Sequence, residues 1–555
     1  MNININKKVI IFVAIIIVAV IIIAVGIYGI IKVIPRYHNP YSERNLTEDI
    51  SLIVGQSDRT EDLLDPIVVK DNRILFSFDN MKRFIDAYIQ NDTKYNQIIT
   101  NSKTNTKVID VENKKMREFL DENWEDIYLE MINNEIYFDI CAMQDIYNID
   151  VKYIKETNLV KVAKDIHTYK VGVIKDETKL KYLPSNISTT IDKLLKDQEV
   201  YVLREDKEYY KVLDSMGRFG YVKQENIGDI ENVTNYFPMK YDEKINLVWD
   251  YVNFQSPNRI GQTKLEGVNV FSPTWIDLLD ENGNIQNKVD KSYLKWAKDT
   301  GYDIWVMFSN NSKIQSTNNI LNDSKLREKV IKDVLQICLD NNFEGINVDF
   351  EYMYKEDKDM YSQFIRELSV AFHKHNIFVS VDVTVPDGSE RWSLCFDRKA
   401  LGDAVDYVML MAYDQTPGSS QKPGSVSAKN WVELNVKKLL TEVDKEKLVL
   451  GMPLYTRSWK TVNNQTTSST VNMKDVESYV SIYLSSNYTK VWLENEGQYY
   501  IEDTVGNIKR RMWVEDLKSI EEKLKIYKEN DLAGVATWEK DSEDYKIWDL
   551  INQYL

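Results

Sequence analysis

In the stretch FEGINVDFEYM, residues 343–353, Asn347, Asp349 and Glu351 stand two apart among Ile346, Val348 and Phe350. Side chains alternate along a strand with a period of two, so the three polar groups share one face and the apolar ones take the other. Two carboxylates on one face of such a strand are costly to bury unless chemistry requires them. Few other residue types are available for catalysis. The chain has four histidines, and His373 and His375 are wrongly spaced to share a helix face, so neither a histidine triad nor a zinc site is expected. The three cysteines, Cys141, Cys338 and Cys395, are scattered and odd in number, which excludes a disulfide framework. Cys338 and Cys395 lie in apolar surroundings and read as core. Any catalysis must therefore rest on carboxylates and tyrosines, with no metal or cofactor called for. A net charge of −16 over 555 residues argues against nucleic acid or anionic lipid as the main partner.

The elements that would hold these groups run from 240 to 555. INLVWDYV, GVNVFSPTW, DIWVMFS, GINVDFE, IFVSVDVTVP, DYVMLMAYD, LVLGMPLY and GVATW are strongly apolar runs, separated by amphipathic stretches such as SKLREKVIKDVLQICLD. Apolar strands alternating with helices predict parallel strands covered on the outside. Eight such units predict an α/β chain with a (β/α)8 TIM barrel and insertions, whose site lies at the carboxyl ends of the strands. Glu351 ends the fourth.

Upstream, residues 166–230 are short alternating segments broken by turn residues, which predicts a small β-barrel. Residues 63–165 carry a weak internal repeat, ILFSFDNMKRF at 74–84 against IYFDICAMQDI at 136–146, each followed by a strand-like piece. That pattern predicts a small α+β domain. Residues 37–62 read as a polar linker. Val9–Ile31 is uncharged for 23 residues between basic flanks, enough for about 34 Å of helix. Without a cleavage-site pattern it reads as a transmembrane signal anchor at 1–36.

The motifs of the 240–555 segment resemble family 18 glycoside hydrolases, the chitinases and their relatives. The family's D-G-x-D-x-D-x-E is matched by Glu344, Gly345, Asn347, Asp349 and Glu351. Its Met-x-Tyr-Asp is matched by Met411, Tyr413 and Asp414, its Gly-x-Pro-x-Tyr by Gly451, Pro453 and Tyr455, and its final tryptophan by Trp538. The resemblance implies a substrate-assisted, retaining mechanism without a protein nucleophile. Glu351 would be the acid and then the base. Asp349 would bind the acetamido N–H, Tyr413 would donate to the acetamido carbonyl, and Trp538 would form the floor under the sugar. Asn347, Asp414, Met411 and Tyr455 would line the substrate site, with Trp275 and Trp459 as further groove candidates. Two departures stand out. Glu344 replaces an Asp that lies outside the reaction. Asn347 replaces an Asp that shares a proton with the middle acid in chitinases, so that coupling would be reduced. Asn at this position is common in the branch concerned with spore cortex and cell-wall lysis.

The upstream segments carry resemblances too. The ending GRFGYVKQENI is similar to bacterial SH3-like domains, a family often used for wall attachment, and the repeat resembles copper amine oxidase N-terminal-like domains, without copper ligands. Together these imply a membrane-anchored, extracytoplasmic, monomeric glycosidase with its N-terminus in the cytoplasm. Its partner would be peptidoglycan or another glycan containing N-acetylglucosamine, in sporulation or in growth. The alternatives are a chitinase, with chitin binding, and a non-catalytic wall-binding scaffold.

Overall fold

The computed structural model describes residues 49–555 apart from 56, 156–157, 165–169 and 233–238, together with isolated positions between 16 and 23. Most of the expected anchor at 9–31 lies outside the described residues, as do residues 37–48 of the expected linker. Among the described residues no helix is long and apolar enough to cross a membrane. Two compact units are present, one of residues 1–89, 110–116 and 125–237, the other of 90–109, 117–124 and 238–555.

In the first unit, Ser51–Val54 is a strand rather than linker, paired in parallel with Leu159–Ala163. The reason is local: Leu52 and Ile53 give the strand two buried side chains. The two copies of the repeat meet directly. Arg73–Ser77 and Glu135–Asp139 pair antiparallel with Phe76 opposite Phe138. Each strand turns into a short helical segment whose first turn is capped, by Ser77 on the Asn80 N–H and by Asp139 on the Cys141 N–H. Residues 170–232 form seven antiparallel strands around Ile174, Leu180, Val200, Val212 and Val222.

The second unit contains the barrel. Its strands are β1 (Ile245–Asp250), β2 (Val270–Pro273), β3 (Asp303–Ser309), β4 (Gly345–Asp349), β5 (Phe378–Thr384), β6 (Tyr407–Met411), β7 (Leu448–Pro453) and β8 (Gly534–Trp538). Every neighbouring pair is parallel, β8 joins β1 to β7, and the β2–β3 pairing closes the ring. Alternation along each strand divides the apolar residues between two cores. Leu247, Trp249, Trp305, Met307 and Met409 plug the inside, whereas Val248, Val306, Ile346, Val348 and Leu410 face the surrounding helices. Gly345 is required by that plug, since a Cβ there would meet the Trp305 indole at 2.6 Å.

Between β7 and β8 the chain inserts a five-stranded antiparallel sheet over 455–514. The helix Val476–Tyr483 covers one face through Val471, Val476, Ile501, Met512 and Val514. Residues 90–109 and 117–124 pack on the barrel helices, although they come from the stretch expected as a separate α+β domain. Val108 and Phe119 join the outer core. The buried Arg327, on the helix Ser324–Asn341, holds Glu367 at 2.8 Å and donates to Gln90 Oε1 at 2.8 Å.

Candidate active site

Because Ile346, Val348 and Phe350 are committed to the outer core, Asn347, Asp349 and Glu351 must point into the barrel or its mouth. They do so at three depths. Asn347 is fully buried and its side chain is spent: it accepts from Trp249 Nε1 at 2.7 Å and donates to Ser380 Oγ at 3.1 Å and Asp382 Oδ1 at 2.6 Å. It supports the site from below and has no free group to offer a substrate. Asp349 sits above it, with Oδ1 buried and without a hydrogen-bond partner among the described residues. Burial, reinforced by the charge of Asp382, holds the Asp349 carboxyl well above the usual range.

Glu351 follows the end of β4, where Asn310 clamps its backbone. The Glu351 N–H donates to Asn310 Oδ1 at 3.0 Å, and Asn310 Nδ2 donates to the Glu351 carbonyl at 2.8 Å. The next residue, Tyr352, turns the chain away at φ +54°. Burial, then the negative charges of Asp349 and Asp414, push the Glu351 carboxyl well above the usual glutamate range. The shift favours the protonated form that a general acid needs.

Tyr413 stands beyond β6, edge-on to Trp249 at 6.5 Å, and burial raises its phenol further. Asp414, at φ +56°, accepts from the Tyr455 hydroxyl and from Arg457 Nη2, the latter at 2.5 Å. Tyr455 and Arg457 both come from the first strand of the insertion, which ties that sheet to the site. Trp538 ends β8, tilted against Trp249 at 6.3 Å and flanked edge-on by the exposed Tyr251 at 6.3 Å. Beside it, burial and then Asp250 and Asp541 push Glu539 up to about 7.

The structure therefore brings Asp349, Glu351, Tyr413, Asp414, Tyr455 and Trp538 to the carboxyl end of the barrel. Met411 lies buried at the end of β6. Glu344 is at the opposite end of β4, accepting from the Ile304 N–H at 2.9 Å and facing Lys298. Trp275 and Trp459 are fully buried packing residues, their indole N–H groups bonded to Ser256 Oγ and the Gly424 carbonyl, each at 2.8 Å. Sequence reasoning missed three residues: Asn310, Arg457 and Asp382. Asp382 had a signal, a lone carboxylate inside the apolar run FVSVDVTVP, with the alternation that drew attention to β4. Among the described residues no group of three or more His, Cys, Asp and Glu is placed to hold a metal ion.

Comparison with known proteins gives a consistent picture. The pattern of the family described as Glycosyl hydrolases family 18 matches residues 219–543. The uncharacterized glycosylase YvbX of Bacillus subtilis is 24% identical over 286 residues, covering 49% of this chain and 81% of the relative. The cortical fragment-lytic enzyme of Bacillus subtilis is 27% identical over 224 residues, 40% of this chain, and the match spans about half (51%) of that protein. The crystal structure of the Bacillus megaterium spore cortex-lytic enzyme SleL aligns with a TM-score of 0.50 at 18% identity, covering 61% of this chain and 77% of that one.

Proposed function

Because the chain belongs to glycosyl hydrolase family 18 and is a glycosidase, we propose that it cleaves β-1,4 bonds at N-acetylglucosamine in peptidoglycan, with retention of configuration. The observation that carries this reading is Glu351: a carboxyl just beyond the end of β4, its backbone clamped by Asn310, its pKa raised by burial and by the charges of Asp349 and Asp414. Glu351 gives its proton to the leaving oxygen, and its carboxylate then takes one from water. The substrate's own acetamido oxygen attacks the anomeric carbon, as in the substrate-assisted exceptions among retaining glycosidases. Asp349 accepts a hydrogen bond from the acetamido N–H, the Tyr413 hydroxyl donates to the acetamido carbonyl, and the Trp538 indole supports the sugar ring.

Peptidoglycan is preferred to chitin for three reasons. Two similar proteins are named for spore cortex lysis, residues 166–230 read as an SH3-like wall-binding barrel, and residues 9–31 read as an anchor. The proposal places the N-terminus in the cytoplasm and the glycosidase outside, as a membrane-tethered monomer. A second reading, hydrolysis of chitooligosaccharides, is favoured by aromatic rings that follow the carboxyl ends of the strands: Trp392 against Tyr352 at 5.3 Å, and Tyr251 beside Trp538.

The test is product analysis with the full chain and its Glu351→Gln variant on vegetative peptidoglycan, spore cortex and chitooligosaccharides. New reducing-end N-acetylglucosamine from either wall, released by the parent alone, supports the first reading. Release from chitooligosaccharides alone supports the second. Binding without release by both proteins would leave a wall-binding scaffold.

A further inference from the structure

The position where the resemblance calls for a second acid on β4 holds Asn347, whose amide has no proton to exchange with a carboxylate. A carboxylate is nevertheless present beside Asp349, contributed by the next strand. Val379, Val381 and Val383 face the outer core, so Ser380 and Asp382 of β5 face inward. The β4–β5 register pairs Asn347 with Ser380 and Val348 with Val381. Asp349 and Asp382 are the next residues beyond the last paired positions of the two strands, both on the inward face, and the charge of Asp382 acts on the Asp349 carboxyl. Asp382 is 1% exposed, and Asn347 Nδ2 grips its Oδ1 at 2.6 Å, which fixes the carboxylate plane.

We propose that Asp382 is the partner acid of Asp349 and a positioning residue for the reaction: the two carboxylates hold one proton between them. When Asp349 turns to accept the acetamido N–H of the substrate, the O–H bond at Asp349 breaks and the proton passes to Asp382. Asp349 is left as the carboxylate and the pair keeps its charge. The acid that chitinases carry on the fourth strand has thus moved to the fifth, and Asn347 has become the donor that orients it. This inference rests on the family 18 reading of the site.

The surroundings leave no other way to neutralise the pair. The titratable groups that act on it among the described residues are Glu351 just beyond β4, Tyr413 beyond β6 and Tyr361 from the helix Lys358–His373, with Cys395 acting on Tyr361. None is a cation. Neighbouring carboxylates that are shielded from water and lack a counter-ion resist ionising together, and such a coupled pair titrates as a unit. Burial and Glu351 also hold Asp382 high, against the Asn347 hydrogen bond that lowers it.

Two measurements test the proposal, made on the full chain, Asp382→Asn and the exchanged double variant Asn347→Asp/Asp382→Asn. The first is the pH profile of kcat and KM on the glycan that the parent cleaves. Asp382→Asn is expected to lower kcat about 10²-fold, with KM little changed and the acidic limb displaced. The double variant, which returns an acid to β4 and keeps an amide–carboxylate bond, is expected to recover most of the loss. The second measurement needs no activity: thermal unfolding from pH 5 to 8. Carboxyls whose folded pKa lies above the unfolded value of about 3.9 lose stability as pH rises through the folded pKa. The Tm of Asp382→Asn relative to the parent should therefore climb with pH. An unchanged kcat profile in Asp382→Asn, failure of the double variant to recover, or a Tm difference flat in pH would each overturn the proposal. A parent chain inactive on every glycan would overturn the family 18 reading instead, while the unfolding series would still decide the shared proton.

Discussion

Glu351 owes its raised pKa to burial and then to its charged neighbours, and each neighbour can be varied separately. Glu351→Gln removes the acid and keeps the shape, so turnover should fall about 10²–10⁴-fold, with glycan binding retained in a sedimentation assay. Arg457 compensates the charge of Asp414, and Asp414 is one of the charges that raise Glu351. Arg457→Ala should therefore push Glu351 higher and move the alkaline limb of kcat/KM to higher pH, an outcome read directly from the profile. Asn310→Ala leaves the carboxyl intact and releases the backbone that carries it. Misplacement of that kind costs up to about 10²-fold in kcat, and the lost hydrogen bonds about 1–3 kcal/mol of stability. The contrast between Glu351 and Asn310 also explains what could be read in advance. Asn347, Asp349 and Glu351 announce themselves because one strand places them two residues apart. Asn310 and Asp382 belong to the same site, yet each is joined to it by the stagger between neighbouring strands. That stagger is set by packing in three dimensions, and no spacing along the chain records it.

Strands and their connections repeat this division. All eight barrel strands were legible because burial makes each predominantly apolar, with the polar residues of β4 and β5 confined to the inward face, and the barrel confirms that reading. The sheet at 455–514 was not, because its hairpins alternate like any half-exposed strand and its start coincides with the motif that ends β7. Tyr455, read as the last residue of that motif, is also the first residue of the insertion's first strand. Trp459 shows the cost of that blindness. Alternation alone allows it to face a groove, but it is fully buried and the Gly424 carbonyl accepts its indole N–H. At the amino end of β4, Gly345→Ala would drive a methyl group into the Trp305 ring. Overpacking of this kind destabilises by about 1–3 kcal/mol. Differential scanning calorimetry should show the loss, and an unchanged Tm would mean that the ring can move aside.

For the whole molecule, the barrel is larger than its own sequence segment. Residues 90–109 and 117–124 lend it Val108, Phe119 and the Gln90 that faces Arg327. A chain reduced to 238–555 should therefore unfold at lower urea than the full protein, each buried side chain being worth about 1.5–3 kcal/mol. Equal midpoints would show that these contacts contribute nothing. The sequence hid this arrangement because 63–165 carries its own repeat, and a repeat suggests a self-contained domain. Closure of the ring has a consequence of another kind, in time. β8 must reach back to β1, pairing Gly534 with Ile245 across about 290 residues. At a synthesis rate of about 5–20 residues per second, that span takes tens of seconds to emerge. During that interval the nascent chain carries the carboxylates of β4 and β5, while Trp538 arrives only with the closing strand. The ring, and with it the mouth that the eight strands share, is therefore completed in one step, when β8 pairs with β1 and β7.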